Sequence, residues 1–152
     1  MLKEVEGENR VSIVPGSLKK LFKLGFEVVV ETGAGEISHN SDADYESAGS
    51  VVSSREEALS CDVIVSISMP DVSDLKRGQI IACIADPFRN TKTVKNSVDA
   101  GITLISMDMI PRRLSRAQAM DVNSSQDNLA GYKAVLLGAA HVPRGIPMMT
   151  TS

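Results

Sequence analysis

The sequence predicts an α/β domain with a mainly parallel sheet, flavodoxin-like or Rossmann-like in three layers. Three observations carry that expectation. Short β-branched apolar segments alternate with short amphipathic ones over the first hundred residues. Glycine closes the helical segments, at Gly25, Gly49 and Gly101. The run Gln79-Ile-Ile-Ala-Cys-Ile-Ala85 lacks polar alternation, which marks a strand covered on both faces.

In chain order, Ser17–Leu24 has apolar positions at 18, 21, 22 and 24, the spacing of a short amphipathic helix. Pro15 and Ser17 supply its start. Phe26–Glu31 is apolar and β-branched, hence a strand, and Gly33-Ala-Gly35 breaks it. Asp42–Gly49 opens with acidic residues that suit a helix N-terminus. Val51-Val52 reads as a brief strand. Ser54, with Glu57 three residues on, resembles a capping box for a helix to Leu59. Strands follow at Asp62–Ile67 (ended by Met69-Pro70) and Gln79–Ala85, then a helix over Asn90–Ala100 and a last strand at Ile102–Met107.

Charge and composition narrow the function classes. The 152 residues give room for one domain with a single core. A net charge of −3 and 3% aromatics provide neither the basic face nor the stacking platform that nucleic acid requires. No apolar run approaches the length of a membrane span, so direct membrane insertion is not expected. The charged N-terminus lacks the apolar region of a signal peptide. Cys61 and Cys83 fall at or in predicted strands and read as reduced thiols, with a disulfide as the alternative. His39 and His141 have no neighbouring cysteine or carboxylate cluster, and no metal site is expected.

The stretch Pro111–Tyr132 stands apart. It leaves the carboxyl end of the last predicted strand, where parallel α/β sheets place ligands. It carries Arg112, Arg113 and Arg116, the amides of Gln118 and Gln126, the carboxylates of Asp121 and Asp127, and the hydroxyls of Ser124 and Ser125. So long and polar a connection is either a binding loop or a solvated connector ending in a helix cap. As a binding loop it suits a ligand with a carboxamide and ribose hydroxyls, since Asp and Gln accept from OH and NH2 groups while Arg and Gln donate to carbonyls. None of these groups transfers protons well at neutral pH. The chemistry is therefore positioning, as in a hydride transfer carried by a cofactor.

The helix expected after it, about 124–140, starts from Ser124-Ser-Gln-Asp127 as a capping box weakened by Asp. Ala130, Ala134 and Gly138 form a small-residue stripe beside an apolar row of Leu129, Tyr132 and Leu136. That pattern suits a packing helix between units. Pro147-Met-Met149 is expected to pack as well.

Other motifs are incomplete. Gly33-Ala-Gly35 follows a strand, but a dinucleotide fingerprint needs glycine where Ser38 stands, so turn chemistry is the reading. No serine sits in a G-x-S-x-G elbow, and neither cysteine has a histidine partner.

The segments Ile110-Pro-Arg, Ser115-Arg-Ala-Gln-Ala-Met-Asp121, Ser124-Ser-Gln and Asn128-Leu-Ala-Gly-Tyr-Lys-Ala-Val135 together resemble the N-terminal region of the alpha subunit of proton-translocating NAD(P) transhydrogenase. Agreement extends to Lys3-Glu4, Arg10-Val11, Leu24–Val28, Glu31–Gly35 and Pro147-Met-Met149. The resemblance implies a subunit that binds NAD(H) and passes hydride to NADP(H) on a partner domain, coupled to proton movement. It implies Gln118 and Asp121 as the amide and carboxylate at the transfer site. Arg113 or Arg112 would be the arginine: counting back from Gln118 favours Arg113, adjacency to the proline favours Arg112. Ser124, Ser125 and Tyr132 would be cofactor contacts. Implied partners are the rest of the alpha subunit with its Rossmann domain, the NADP-binding beta subunit and a second copy in a homodimer. The implied place is cytoplasmic and peripheral to a membrane complex, or the mitochondrial matrix in a eukaryote.

Alanine dehydrogenase shares this N-terminal architecture and is the alternative. Its pattern has a substrate lysine before the equivalent of Pro70 and a histidine near the end of the next strand. Here those regions read Val65-Ser-Ile-Ser-Met-Pro70 and Ile84-Ala-Asp-Pro87. A non-catalytic remnant or interaction module is the other alternative. The family opens with a full strand before its Lys-Glu pair, whereas only Met1-Leu2 precede Lys3. A first strand so truncated is expected to leave backbone groups inside the sheet for water, a partner or a rearrangement to meet. The chain stops before the G-x-G-x-x-G site of the family's second domain, so most of the NAD-binding surface is expected outside it.

Overall fold

The computed structural model describes residues 1–143; Pro147-Met-Met149 lies outside the described residues. The described residues form two compact units, Met1–Met109 and one that begins at Ile110, and each is taken by itself.

In the first unit a 3₁₀ turn at Pro15–Ser17 leads into α1 (Leu18–Lys23), followed by β1 (Val29–Glu31), α2 (Asp42–Ser47), β2 (Val51–Ser53) and α3 (Arg55–Leu59). Then come β3 (Val63–Ser68), β4 (Ile80–Ile84), α4 (Thr91–Ala100) and β5 (Thr103–Ser106). Local chemistry sets the ends. Ser41 and Asp44 bond each other's backbone N–H in a reciprocal capping box. Ser54 accepts the Glu57 N–H at 3.3 Å, but the box stays open because the Glu57 carboxylate takes the Ser53 hydroxyl instead. α4 stops at Gly101 in the left-handed conformation, φ 71°. The strand predicted from Phe26 starts only at Val29. The closing turn of α1 holds the Phe26 N–H on Leu21 O at 3.2 Å, so this backbone is not extended for pairing.

Among the described residues all strand pairings are parallel. β1 pairs with β2, and β3, β4 and β5 run side by side in that order. Met1 and Leu2 lie between the two ribbons. Met1 N donates to Val29 O at 2.6 Å and Glu31 N donates to Met1 O at 3.0 Å. On the other side Leu2 N donates to Val65 O at 3.3 Å. Counting this pair as a strand gives β2-β1-(Met1-Leu2)-β3-β4-β5, the Rossmann-type order with its first strand at the centre. Beyond Leu2 a side chain continues the pairing. The Glu4 carboxylate accepts the N–H groups of Ile67 at 2.6 Å and Ser68 at 2.9 Å, so the end of β3 is satisfied without a neighbouring backbone.

Successive strand residues point to opposite faces, and Met1 and Leu2 accordingly enter different cores. Met1 joins Leu18, Val30 and Tyr45. Leu2 joins Ala58, Ile64, Ile81, Cys83, Ala85 and Ile102. The expected cover on both faces of β4 is incomplete: Ile81, Cys83 and Ala85 are buried, while Ile80, Ala82 and Ile84 are only half-buried. Both cysteines are free thiols.

Gly33-Ala-Gly35 is a turn with close contacts. The Gly33 N–H, at φ 71°, donates to both oxygens of Asp42 at 2.9 and 3.1 Å. A Cβ on Gly35 would lie 2.4 Å from Asn40 O and 2.7 Å from the Tyr45 ring, so only glycine fits.

The second unit begins with a turn over Pro111–Leu114 and a 3₁₀ turn at Gln118–Met120. The helix α5 then runs over Val122–His141. It starts two residues before its predicted position because Asp121, and not Ser124, is the N-cap.

Candidate functional site

The Pro111–Tyr132 stretch is built around the start of α5. Asp121 has extended backbone angles, φ −75° and ψ 93°, which aim its side chain back over the first helical turn. Its Oδ1 accepts the Ser124 N–H at 3.0 Å and its Oδ2 the Ser124 hydroxyl at 2.5 Å. The Ser125 hydroxyl donates to the Asp121 carbonyl at 3.1 Å. Asp121 is thus both a cap and an anion presented at a helix N-terminus. The Ser124 hydroxyl, then the Ser124 N–H, with the Arg112 charge adding, hold its carboxyl below the usual carboxylate range.

Arg112 joins this cluster from the turn before it. The Leu114 N–H bonds Pro111 O at 3.3 Å, which puts Arg112 and Arg113 at the two central positions of the turn. Arg112 Nη2 lies 3.4 Å from Asp127 Oδ2 and its Nε 3.9 Å from Asp121 Oδ1. Arg113 is exposed and has no carboxylate partner among the described residues. Gln118 is exposed at the first position of its 3₁₀ turn. Tyr132, 67% exposed, stands eight residues along α5 from Ser124, which is ~12 Å of helix rise. Of the predicted residues, Arg112, Asp121, Ser124 and Ser125 form one bonded group; Gln118, Arg113 and Tyr132 flank it.

The row of Leu129, Tyr132 and Leu136 is largely solvent-exposed, and no residue of α5 is buried. Among the described residues no helix is long and apolar enough to cross a membrane, and no group of three or more His, Cys, Asp or Glu is arranged to hold a metal.

Two features go beyond what the sequence indicates. Asp127, expected as the last residue of a capping box, is instead a partner of Arg112. The cap itself has a local signal, because Asp121 precedes Ser124 by the three residues an Asp N-cap uses. The second feature is an open polar cleft of ≈ 690 Å³ in the first unit, at the carboxyl ends of β3 and β4. Ser68, Met69 and Pro70 line one side and Ile84 and Ala85 another, with Lys92 of α4 contributing a cation. Neither the Val65–Pro70 segment nor the Ile84–Pro87 segment contains a lysine or a histidine.

Parallel order around a central first strand makes this a Rossmann-like domain. The family model for the alanine dehydrogenase/PNT N-terminal domain matches residues 1–130, and the chain belongs to that family. An NAD(P) transhydrogenase alpha-subunit chain of Rhodospirillum rubrum is 40% identical over 96% of this chain and 40% of that protein. The crystal structure of transhydrogenase from Sinorhizobium meliloti superposes with a TM-score of 0.90 at 41% identity, covering 100% of this chain and 48% of that one. An L-alanine dehydrogenase structure follows with a TM-score of 0.70 at 25% identity over 76% of this chain and 33% of its own. The chain thus spans less than half the length of these relatives.

Proposed function

We propose that this chain is part of the NAD(H)-binding alpha subunit of an NAD(P) transhydrogenase, and that its Pro111–Tyr132 loop positions nicotinamide for hydride transfer between NAD(H) and NADP(H). The observation that carries this reading is the bonded group at the start of α5, set in a chain similar to transhydrogenase along its whole length. The residues fit the cofactor. Carboxylate and amide oxygens accept from a carboxamide NH2 and from ribose hydroxyls, while guanidinium and amide N–H groups donate to a carbonyl. When bound, the nucleotide supplies the hydride chemistry. The chain supplies geometry: Gln118 and Asp121 orient the carboxamide, with Arg113 or Arg112 beside them. Ser124 and Ser125 hold the cap in place, and Tyr132 lies further along the same helix. Capping fixes Asp121 before any ligand arrives, the preorganisation that positioning requires.

In this reading the remainder of the alpha subunit provides the Rossmann domain, and the beta subunit holds NADP(H). The assembly is a dimer of such units on the cytoplasmic or matrix side of a membrane complex. The absence of lysine and histidine from the two strand-end segments of the β3–β4 cleft weighs against an alanine dehydrogenase.

Mixing this chain with the remaining alpha-subunit portion, the beta subunit, NADH and an NADP analogue tests the proposal. Absorbance of the reduced analogue is expected to rise. An intact, folded assembly that transfers no hydride contradicts it.

A further inference from the structure

Two adjacent arginines, Arg112 and Arg113, occupy the centre of one turn, and the structure treats them differently. A guanidinium is planar and offers donors along separate edges, so one side chain can serve two carboxylates at once. Arg112 does so, with Nε toward Asp121 and Nη2 toward Asp127. Its partners sit at the N-cap and in the second turn of α5, so it ties the turn before the loop to the helix after it. The tie closes the segment Arg112–Asp121, in which Gln118 lies, and a closed segment samples fewer conformations than an open one. Its single charge is shared between the two carboxylates. Asp127 has no role in the proposed nucleotide chemistry, and this is the contact it makes.

We infer that Arg112 and Asp127 are positioning residues: with Asp121 they form a clasp that sets the geometry of Gln118, and Arg113 is the cation left to face the nucleotide. The inference rests on the transhydrogenase reading for its second half only; the clasp belongs to this chain by itself. It resolves the choice that spacing alone leaves open. Counting back from Gln118 gives Arg113, and the ion pairs of Arg112 give the same answer by occupying the other candidate.

The experiment has two arms, each run on the wild type, R112Q, R112K, R113Q and D127N. In the isolated full chain, carbon-detected NMR follows the titration of the Asp121 carboxyl, which faces Arg112, Asp127 and the Ser124 hydroxyl. R112Q is expected to move that titration upward, R112K to restore some of the shift, and R113Q to leave it in place. Added salt should shrink the difference, since the Arg112 side chain is half exposed. In the assembled enzyme with NADH and an NADP analogue, kcat and KM are read separately. R113Q is expected to lose more than about tenfold in kcat/KM, and R112Q and D127N a smaller factor that falls mainly on kcat, through misplacement of Gln118. An unmoved Asp121 in R112Q overturns the clasp, and so does a loss in R112Q as large as that in R113Q. If the wild-type assembly transfers no hydride, the proposed function falls and takes the role of Arg113 with it, while the titration still decides the clasp. Far-UV circular dichroism of each variant guards against a folding defect, and D127N provides a second test should R112Q fail to fold.

Discussion

Met1–Met109 buries Leu18, Val30, Tyr45, Ile64 and Ile81 completely, whereas α5, twenty residues against ten in α4, buries none. The first unit is held by apolar packing on a parallel sheet. The beginning of the second is held by a cap, two hydroxyls and the two ion pairs of the half-exposed Arg112. The difference separates two kinds of failure. A substitution in the first unit removes packed volume and is felt as lost stability. One at the start of α5 removes direction, and is felt as a misplaced side chain in a chain that still folds.

The largest expected effect tests the packed side. Ile81 sits in the central strand of its ribbon with no exposed surface. Ile81→Ala is expected to cost about 3 kcal/mol in urea unfolding, through lost transfer energy and the cavity left behind. A cost below ~1 kcal/mol would mean the site collapses freely and would blur the contrast between the units.

Next in size is Glu4→Ala. It strips the acceptors from the N–H groups of Ile67 and Ser68, and leaving two such donors unmet is expected to cost about 2 kcal/mol. Glu4→Gln keeps one acceptor oxygen and should cost less. Equal losses in the two variants would show that the carboxylate does not stand in for a strand.

A pH effect comes third. Burial, with Asp108 and Glu4 adding, pushes the Cys83 thiol up to about 12 from its ordinary 9.0. The folded state therefore favours the neutral thiol. That contribution is complete below pH 9 and is lost as pH rises toward 12. The melting temperature should fall over this window more steeply in the wild type than in Cys83→Ala. Parallel curves would contradict a thiol so deeply desolvated. Smallest of all, Leu136→Ala on α5 should change stability by less than about 0.5 kcal/mol in the isolated chain, as its side chain is half exposed.

How much of the molecule is legible in its sequence follows the same division. Period, β-branching, caps and glycine stops locate every α-helix and strand of the first unit, because each signal is local. What sequence does not supply is contact between distant residues. Nothing near Glu4 announces that its carboxylate meets Ile67 and Ser68. Nothing in Phe26–Glu31 announces that the end of α1 holds the first residue back. At the loop, Ser124 has the pattern of a cap while Asp121 is the residue that accepts its N–H. The extra arginine defeats spacing for a physical reason. Two like residues at the centre of a turn differ only in where the turn aims them, and that depends on Asp121 and Asp127.

The central claim is that the loop positions a nucleotide, and Gln118 tests it most directly. The residue is exposed, caps nothing by its side chain and lies in no core. Gln118→Ala should leave the melting curve of the chain unchanged while lowering hydride transfer in the assembled enzyme by roughly 10²-fold, the loss typical of a misplaced reactant. Undiminished transfer, or a loss matched by lower stability, would contradict the account and return Pro111–Tyr132 to a connector with a helix cap.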